Sequence, residues 1–274
     1  MKRRLARLLT DLLALALGFI VIAPVLYGLC GAFKTPAEFA AQPPTFLPRS
    51  FANLDNFIAV MTGAPMARYF LNSLIVALLI SVVKLVCALL AAFAFVYYEF
   101  RGRRVLFILI LATMMLPADT LMVTNYQTVS RLGLLNTYLG MSIVSFVGAS
   151  QMFMLRQAFR NTPRAYREAA WMDGCGDMRY LVQILAPMSR PVLVTLFVQS
   201  FTAAWNTYLW PLMSTTRDDM RTVQVGIGML TSVEGTNYEV VLAGAILSLI
   251  PALFVFLFLR RAITRAMTGG SLVG

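Results

Sequence analysis

The sequence predicts an all-α integral membrane protein with six transmembrane helices and both termini cytoplasmic. Three observations lead there. The 274 residues are 59% hydrophobic, with a mean hydropathy of +0.75. Only 13% are charged, about half of what a soluble domain uses to cover its surface. The basic residues also gather in short segments that separate long apolar runs. No long polar stretch divides the chain, so it reads as one membrane domain over residues 1–274.

A spanning helix takes about 20 mostly apolar residues, because the hydrocarbon layer is about 30 Å thick. Six segments qualify: residues 12–33, 71–97, 105–123, 137–155, 191–213 and 240–259. They are read as helices, since open strands would leave backbone groups unbonded in lipid. The first follows a basic head, MKRRLAR, as a signal peptide would. Its apolar part outruns the roughly 7–15 residues of a signal core, so it is read as a retained span.

Charge sets the orientation. Sixteen Lys and Arg residues fall before the first span, between the second and third, between the fourth and fifth, and after the sixth. Six fall on the opposite side. Basic loops stay in the cytoplasm, which places both termini there in the cell (inner) membrane. The formal charge of +11 is then a matter of topology, and no nucleic-acid partner is expected. Two long outer segments, 34–70 and 214–239, read either as solvated loops or as a surface for an external partner.

Several chemistries are not expected. Cys30, Cys87 and Cys175 form no CxxC pair and the chain has no histidine, which argues against a disulfide framework, a metal site or the commonest general base. Ion-driven carriers place carboxylates or His inside their spans, whereas Asp11 and Asp119 lie only at span edges. The stretch GLCGAFKT at Gly28–Thr35 lacks the spacing of a phosphate-binding loop. The chain is therefore expected to be non-catalytic, to hold no cofactor itself, and to draw energy from a partner. A stand-alone secondary carrier is the alternative, opposed by the same absences and by the lack of an evident internal repeat.

Five residues inside the spans are candidates for the pathway or substrate. Lys84 falls at the centre of the second span, where a charge is costly unless it faces a cavity or a partner. It could attract an anionic solute or bond to carbonyls or to a neighbouring subunit. Asn72 and Asn206 carry amides that need bonding partners in lipid. Trp205 and Tyr208 could stack on a sugar ring or serve as interfacial anchors.

The inner loop, residues 160–190, has structure of its own. Thr162 and Pro163 predict a helix start, and Asp173-Gly174 a left-handed stop after Met172. A second helix is predicted from Asp177, acting as its cap, to Leu185, with Ala186-Pro187 breaking it before the fifth span. Ala165, Ala169 and Ala170 would let another surface approach closely, while Met178, Leu181, Val182 and Leu185 would anchor the loop to the bundle.

The stretch EAAWMDGCGDMRYLVQILAP resembles the EAA motif of permease subunits of ATP-binding-cassette importers. Glu168, Ala169, Ala170, Gly174, Ile184 and Pro187 match that pattern, and Ala186 stands where it has Leu. The resemblance implies a coupling helix that docks on an ATPase. FLNSLIVAL, MMLPADT and AAWNTYLWPL are similar to the carbohydrate-uptake branch that includes the maltose and glycerol-3-phosphate permeases. The resemblance leans toward the glycerol-3-phosphate type, through WNTYLWPL, Lys84 and Glu234–Thr236. What the resemblance implies is a sugar or sugar/glycerol-phosphate-type solute, amino sugars included. It also implies a homologous second permease in a heterodimer, two copies of a cytoplasmic ATP-binding subunit that hold the ATP and Mg, and an extracytoplasmic solute-binding protein.

Overall fold

The computed structural model describes residues 2–232 and 235–268. Helix α1 (Lys2–Ala32) is followed by the short α2 (Pro36–Ala40) and α3 (Asp55–Gly63), then by α4 (Met66–Tyr97). Next come α5 (Arg103–Ala112), α6 (Met122–Arg131), α7 (Tyr138–Ser142) and α8 (Ala149–Arg160). The inner loop holds α9 (Ala165–Met172), α10 (Asp177–Tyr180) and α11 (Ala186–Met188). The chain continues through α12 (Arg190–Trp205), α13 (Leu209–Ser214), α14 (Val223–Met229) and α15 (Tyr238–Thr268). The one departure from all-α among the described residues is an antiparallel pairing of Thr231–Ser232 with Gly235–Thr236. Glu234, part of the resemblance above, lies outside the described residues.

Three helices are long and apolar enough to cross a bilayer: α1 over Thr10–Ala32, all of α4, and α15 over Tyr238–Leu257. They answer the predicted spans 12–33, 71–97 and 240–259. The other three predicted spans are not single helices. Over 105–123, α5 gives way to a 3-10 turn at Thr113–Met115 and a second at Ala118–Leu121. Pro117 causes the break, because the residue before a proline is pushed out of helical geometry and Leu116 is extended (φ −84°, ψ 122°). Over 137–155, two helical pieces, Tyr138–Ser145 and Ala149–Arg160, meet at a 55° bend. Over 191–213, α12 stops at Trp205 and, after three residues, the chain resumes as α13 at Leu209.

The chain forms two compact units, residues up to 67 with 225–250, and 68–224 with 251 onward. In the first, the NLDNF segment closes the end of α1. The last carbonyls of a helix lack intrahelical donors. Asn56 supplies its amide to Ala32 O and Lys34 O, each at 2.8 Å, and Asn53 to Phe33 O at 3.2 Å. Phe33 packs against Phe51 and Phe57, with ring centroids 5.5 and 5.1 Å apart. Thr35 and Glu38 form a reciprocal capping box on α2.

In the second unit the apolar core gathers Phe93, Phe95, Phe159, Tyr180, Leu181, Leu185 and Leu196 from α4, α8, the inner loop and α12. Nearby, Trp210 donates to the carbonyls of Gly140 and Met141 at 3.3 and 3.1 Å. Gly140 is required by close approach: a Cβ there would lie 2.0 Å from Leu134 O. Gly140→Ala should therefore destabilise the chain by about 1–3 kcal/mol, the usual cost of overpacking, read as a lowered melting temperature in detergent. Gly18→Ala is the control, since a Cβ at Gly18 meets nothing within 4 Å.

Candidate functional site

One arginine ties the inner loop to α4. Arg167, on α9, donates through Nη1 to the carbonyl of Tyr97 at 3.1 Å, and through Nη2 to Asp177 Oδ1 at 3.0 Å. Its guanidinium lies 4.2 Å from the Trp171 ring and 4.9 Å from Tyr97. A single planar fork thus joins the last turn of α4, α9 and the start of α10, using donors in a fixed geometry that lysine lacks. Asp177 is the matching hub. Tyr98 donates its hydroxyl to Oδ2 at 2.7 Å, and Trp171 donates its ring N–H to Oδ1 at 3.3 Å. The Tyr98 hydroxyl first, and the Arg167 guanidinium second, hold the Asp177 carboxyl below its ordinary value of 3.8.

The second half of the loop departs from the predicted plain helix. Leu181–Leu185 is a π turn, and the helix continues through Pro187 to Met188. The break comes at Ser189, where the chain bends 82° into α12. Pro187 has no N–H to give the ladder, and π turns occur where the regular pattern is interrupted. The buried stripe is also rotated from the predicted one. Leu181 and Leu185 are buried as expected, but Met178 and Val182 are exposed, and Tyr180 and Ile184 take their places against the core. Each fully buried leucine contributes roughly 1.5–3 kcal/mol toward holding the loop down.

At the start of the loop, Thr162 bonds back to Ala158 O and does not cap α9, whose first turn has no side-chain cap. Gly174 adopts the expected left-handed turn at φ +74°. Asp177 does not cap α10, because Gly176 occupies the cap position. Of the three alanines, Ala165 and Ala169 are exposed, whereas Ala170 is buried in the core. Glu168 is exposed as well, beside Tyr166, Trp171 and Met172, the last of these 90% exposed. α9 thereby presents an acidic and apolar ridge on a firmly seated base.

The five span candidates each have their own surroundings. Asn72 is fully buried. Its amide donates to Asp219 O at 2.9 Å and Arg221 O at 2.8 Å, and its oxygen accepts from the Tyr138 hydroxyl at 2.8 Å. Both amide hydrogens are spent on the chain itself, which gives Asn72 a structural task. Trp205 is buried and stacks on Phe201 with centroids 5.9 Å apart. Asn206 and Tyr208 are exposed where the helix breaks, with Gln224 at 3.5 Å from Asn206 Oδ1. Lys84 is half-buried beside Gly148 and makes no hydrogen bond or ion pair among the described residues. Among the described residues no group of three His, Cys, Asp or Glu could hold a metal ion.

Residues 84–269 match the family model for binding-protein-dependent transport system inner membrane components. The chain belongs to that family. It is a permease, the membrane subunit of an ATP-binding-cassette importer, and not an enzyme. It is 30% identical over 279 residues to the arabinooligosaccharides transport system permease protein AraQ of Halalkalibacterium halodurans, covering 100% of both chains. It is 32% identical to the sn-glycerol-3-phosphate transport system permease protein UgpE of Agrobacterium fabrum, covering 94% of this chain and 95% of that one. A solved bacterial ABC transporter involved in import of the acidic polysaccharide alginate shares the fold, with a TM-score of 0.83 at 21% identity over 95% of this permease and 97% of that chain. The family's description makes a solute-binding protein part of the system.

Proposed function

We propose that this permease pairs with a homologous second permease to form the path for a sugar or a sugar/glycerol-phosphate-type solute, and that α9 couples the pair to two copies of a cytoplasmic ATPase. The exposed ridge of Glu168, Trp171 and Met172 on a latched helix carries this reading. Exposed apolar side chains beside a charge, on a rigid base, suit a protein partner better than solvent. AraQ and UgpE support the solute class by what their names state.

In this reading the chain crosses the inner membrane six times, three times by continuous helices and three by broken ones, with both termini in the cytoplasm. Glu168, Ala169, Ala170, Gly174, Ile184 and Pro187 belong to the coupling element. ATP and Mg bind in the partner ATPase, whose closure moves this element as a rigid body and turns the bundle outward. Lys84, Asn206 and Tyr208 are the pathway candidates, because they keep groups not bound up in packing.

Co-purification tests the coupling. The ATPase should come down with the intact permease and be lost from a Glu168→Arg variant that still inserts and melts normally, Glu168 being exposed. Solute uptake by the permease alone in vesicles, driven by an ion gradient, would instead establish a self-sufficient carrier.

A further inference from the structure

We propose that the basic cavity at the inner-loop end of α4 and α8 binds the phosphate headgroup of an anionic phospholipid, whose acyl chains lie along α5. This rests on α4, α5 and α8 being membrane helices and not on the solute or the ATPase. The cavity has a volume of about 650 Å³ and is lined by Arg103, Arg156, Arg160, Arg164 and Arg167, against only Glu99 and Glu168. Of these five arginines only Arg167 forms an ion pair among the described residues, with Asp177. Arg156 lies over the Phe107 ring at 4.1 Å, and its Nε is buried without a hydrogen-bond partner. It also feels the charges of Arg160 and Arg103. Several guanidinium groups repelling one another in a partly desolvated hollow call for an anion, and phosphate accepts bidentately from such forks.

The surroundings separate a lipid from free phosphate. A second cavity of about 290 Å³ shares Arg103 and Arg156 and is otherwise lined by Phe95, Phe107 and Arg104. Beyond it, α5 exposes Val105, Ile108 and Leu109. A free phosphate would use the first hollow alone. A phospholipid uses both, with its charge among the arginines and its chain against the phenylalanines and α5. Basic hollows between membrane helices on the cytoplasmic side are known headgroup sites.

The test is native mass spectrometry of the full chain in detergent, titrated with dioleoyl phosphatidylglycerol or dioleoyl phosphatidylcholine. The wild type should retain the anionic lipid in preference, which needs no variant to read. Retention should fall about fivefold for each of Arg160→Gln and Arg156→Gln, in line with the worth of one basic group at a membrane surface. Arg101→Gln, outside the cavity, should leave it unchanged. Equal retention of the two lipids, or an equal loss in Arg101→Gln, would overturn the proposal. Displacement of the anionic lipid by millimolar inorganic phosphate would overturn the lipid source and assign the cavity to a free anion.

Discussion

Arg167→Leu should reduce solute uptake by the assembled importer on the order of tenfold, because coupling free energies between sites run about 1–3 kcal/mol. The substitution removes the fork that ties the Tyr97 carbonyl to Asp177 and leaves Asp177 with two donors in place of three. The inner loop then keeps its apolar anchors but loses its angular fix, so ATP hydrolysis should continue while uptake falls. Arg167→Lys should lie between, since an ammonium reaches one of the two acceptors and stacks less well. Proteoliposomes reporting uptake and hydrolysis together decide the matter. A parallel fall in both activities, with the variant's melting temperature also lowered, would mean general unfolding and not uncoupling. The pH dependence has a fixed sign. Asp177 titrates below its ordinary value in the folded chain, so the latch is whole above that value and weakens as pH falls through the lower folded one. Uptake should thus be insensitive to this group near neutrality.

The second large effect is on stability. Asn72→Ala should cost about 2–4 kcal/mol, because it strips hydrogen bonds from buried groups and replaces none of them. The Tyr138 hydroxyl and the Arg221 carbonyl lose a partner, while the Asp219 carbonyl keeps one from Arg68 at 3.2 Å. Asn206→Ala should cost little, since that side chain is exposed and its contact with Gln224 is at the long limit for a hydrogen bond. Thermal melts of the two variants in detergent give the comparison. If Asn72→Ala melted normally but altered solute affinity, the residue would return to the pathway.

The parts of this fold visible in the sequence are those that a hydropathy window can see. Long apolar runs marked α1, α4 and α15 within a few residues. The same averaging hid the interruptions at Leu116-Pro117 and at Asn206–Tyr208, because apolar residues continue on both sides of each. Pro117 was a usable signal; nothing comparable marks the bend before Gly148. The EAA stretch located the inner element, and Gly174 its turn, but the Arg167–Asp177 latch left no trace. Its members are ten residues apart across a turn, a spacing that belongs to no helical period. The exposure of Met178 and Val182 has a similar origin. A stripe drawn at helical spacing through 178, 181, 182 and 185 shares 181 and 185 with the buried one, which takes 180 and 184 in place of 178 and 182. Asn72 is recognisable as an amide in need of partners, yet those partners lie 66, 147 and 149 residues further along the chain.

Helix α4 carries a fixed joint near each end. Asn72 clamps one end to the 219–221 backbone, and the Tyr97 carbonyl is gripped by Arg167 at the other. The unbroken α-helix from Asn72 to Tyr97 makes a strut of about 38 Å. A helix tied at both ends keeps a fixed distance between its joints as long as its own hydrogen-bond ladder stays whole. Helix α4 thus joins α9 to residues 219–221 by one continuous element, bypassing the 55° bend between α7 and α8.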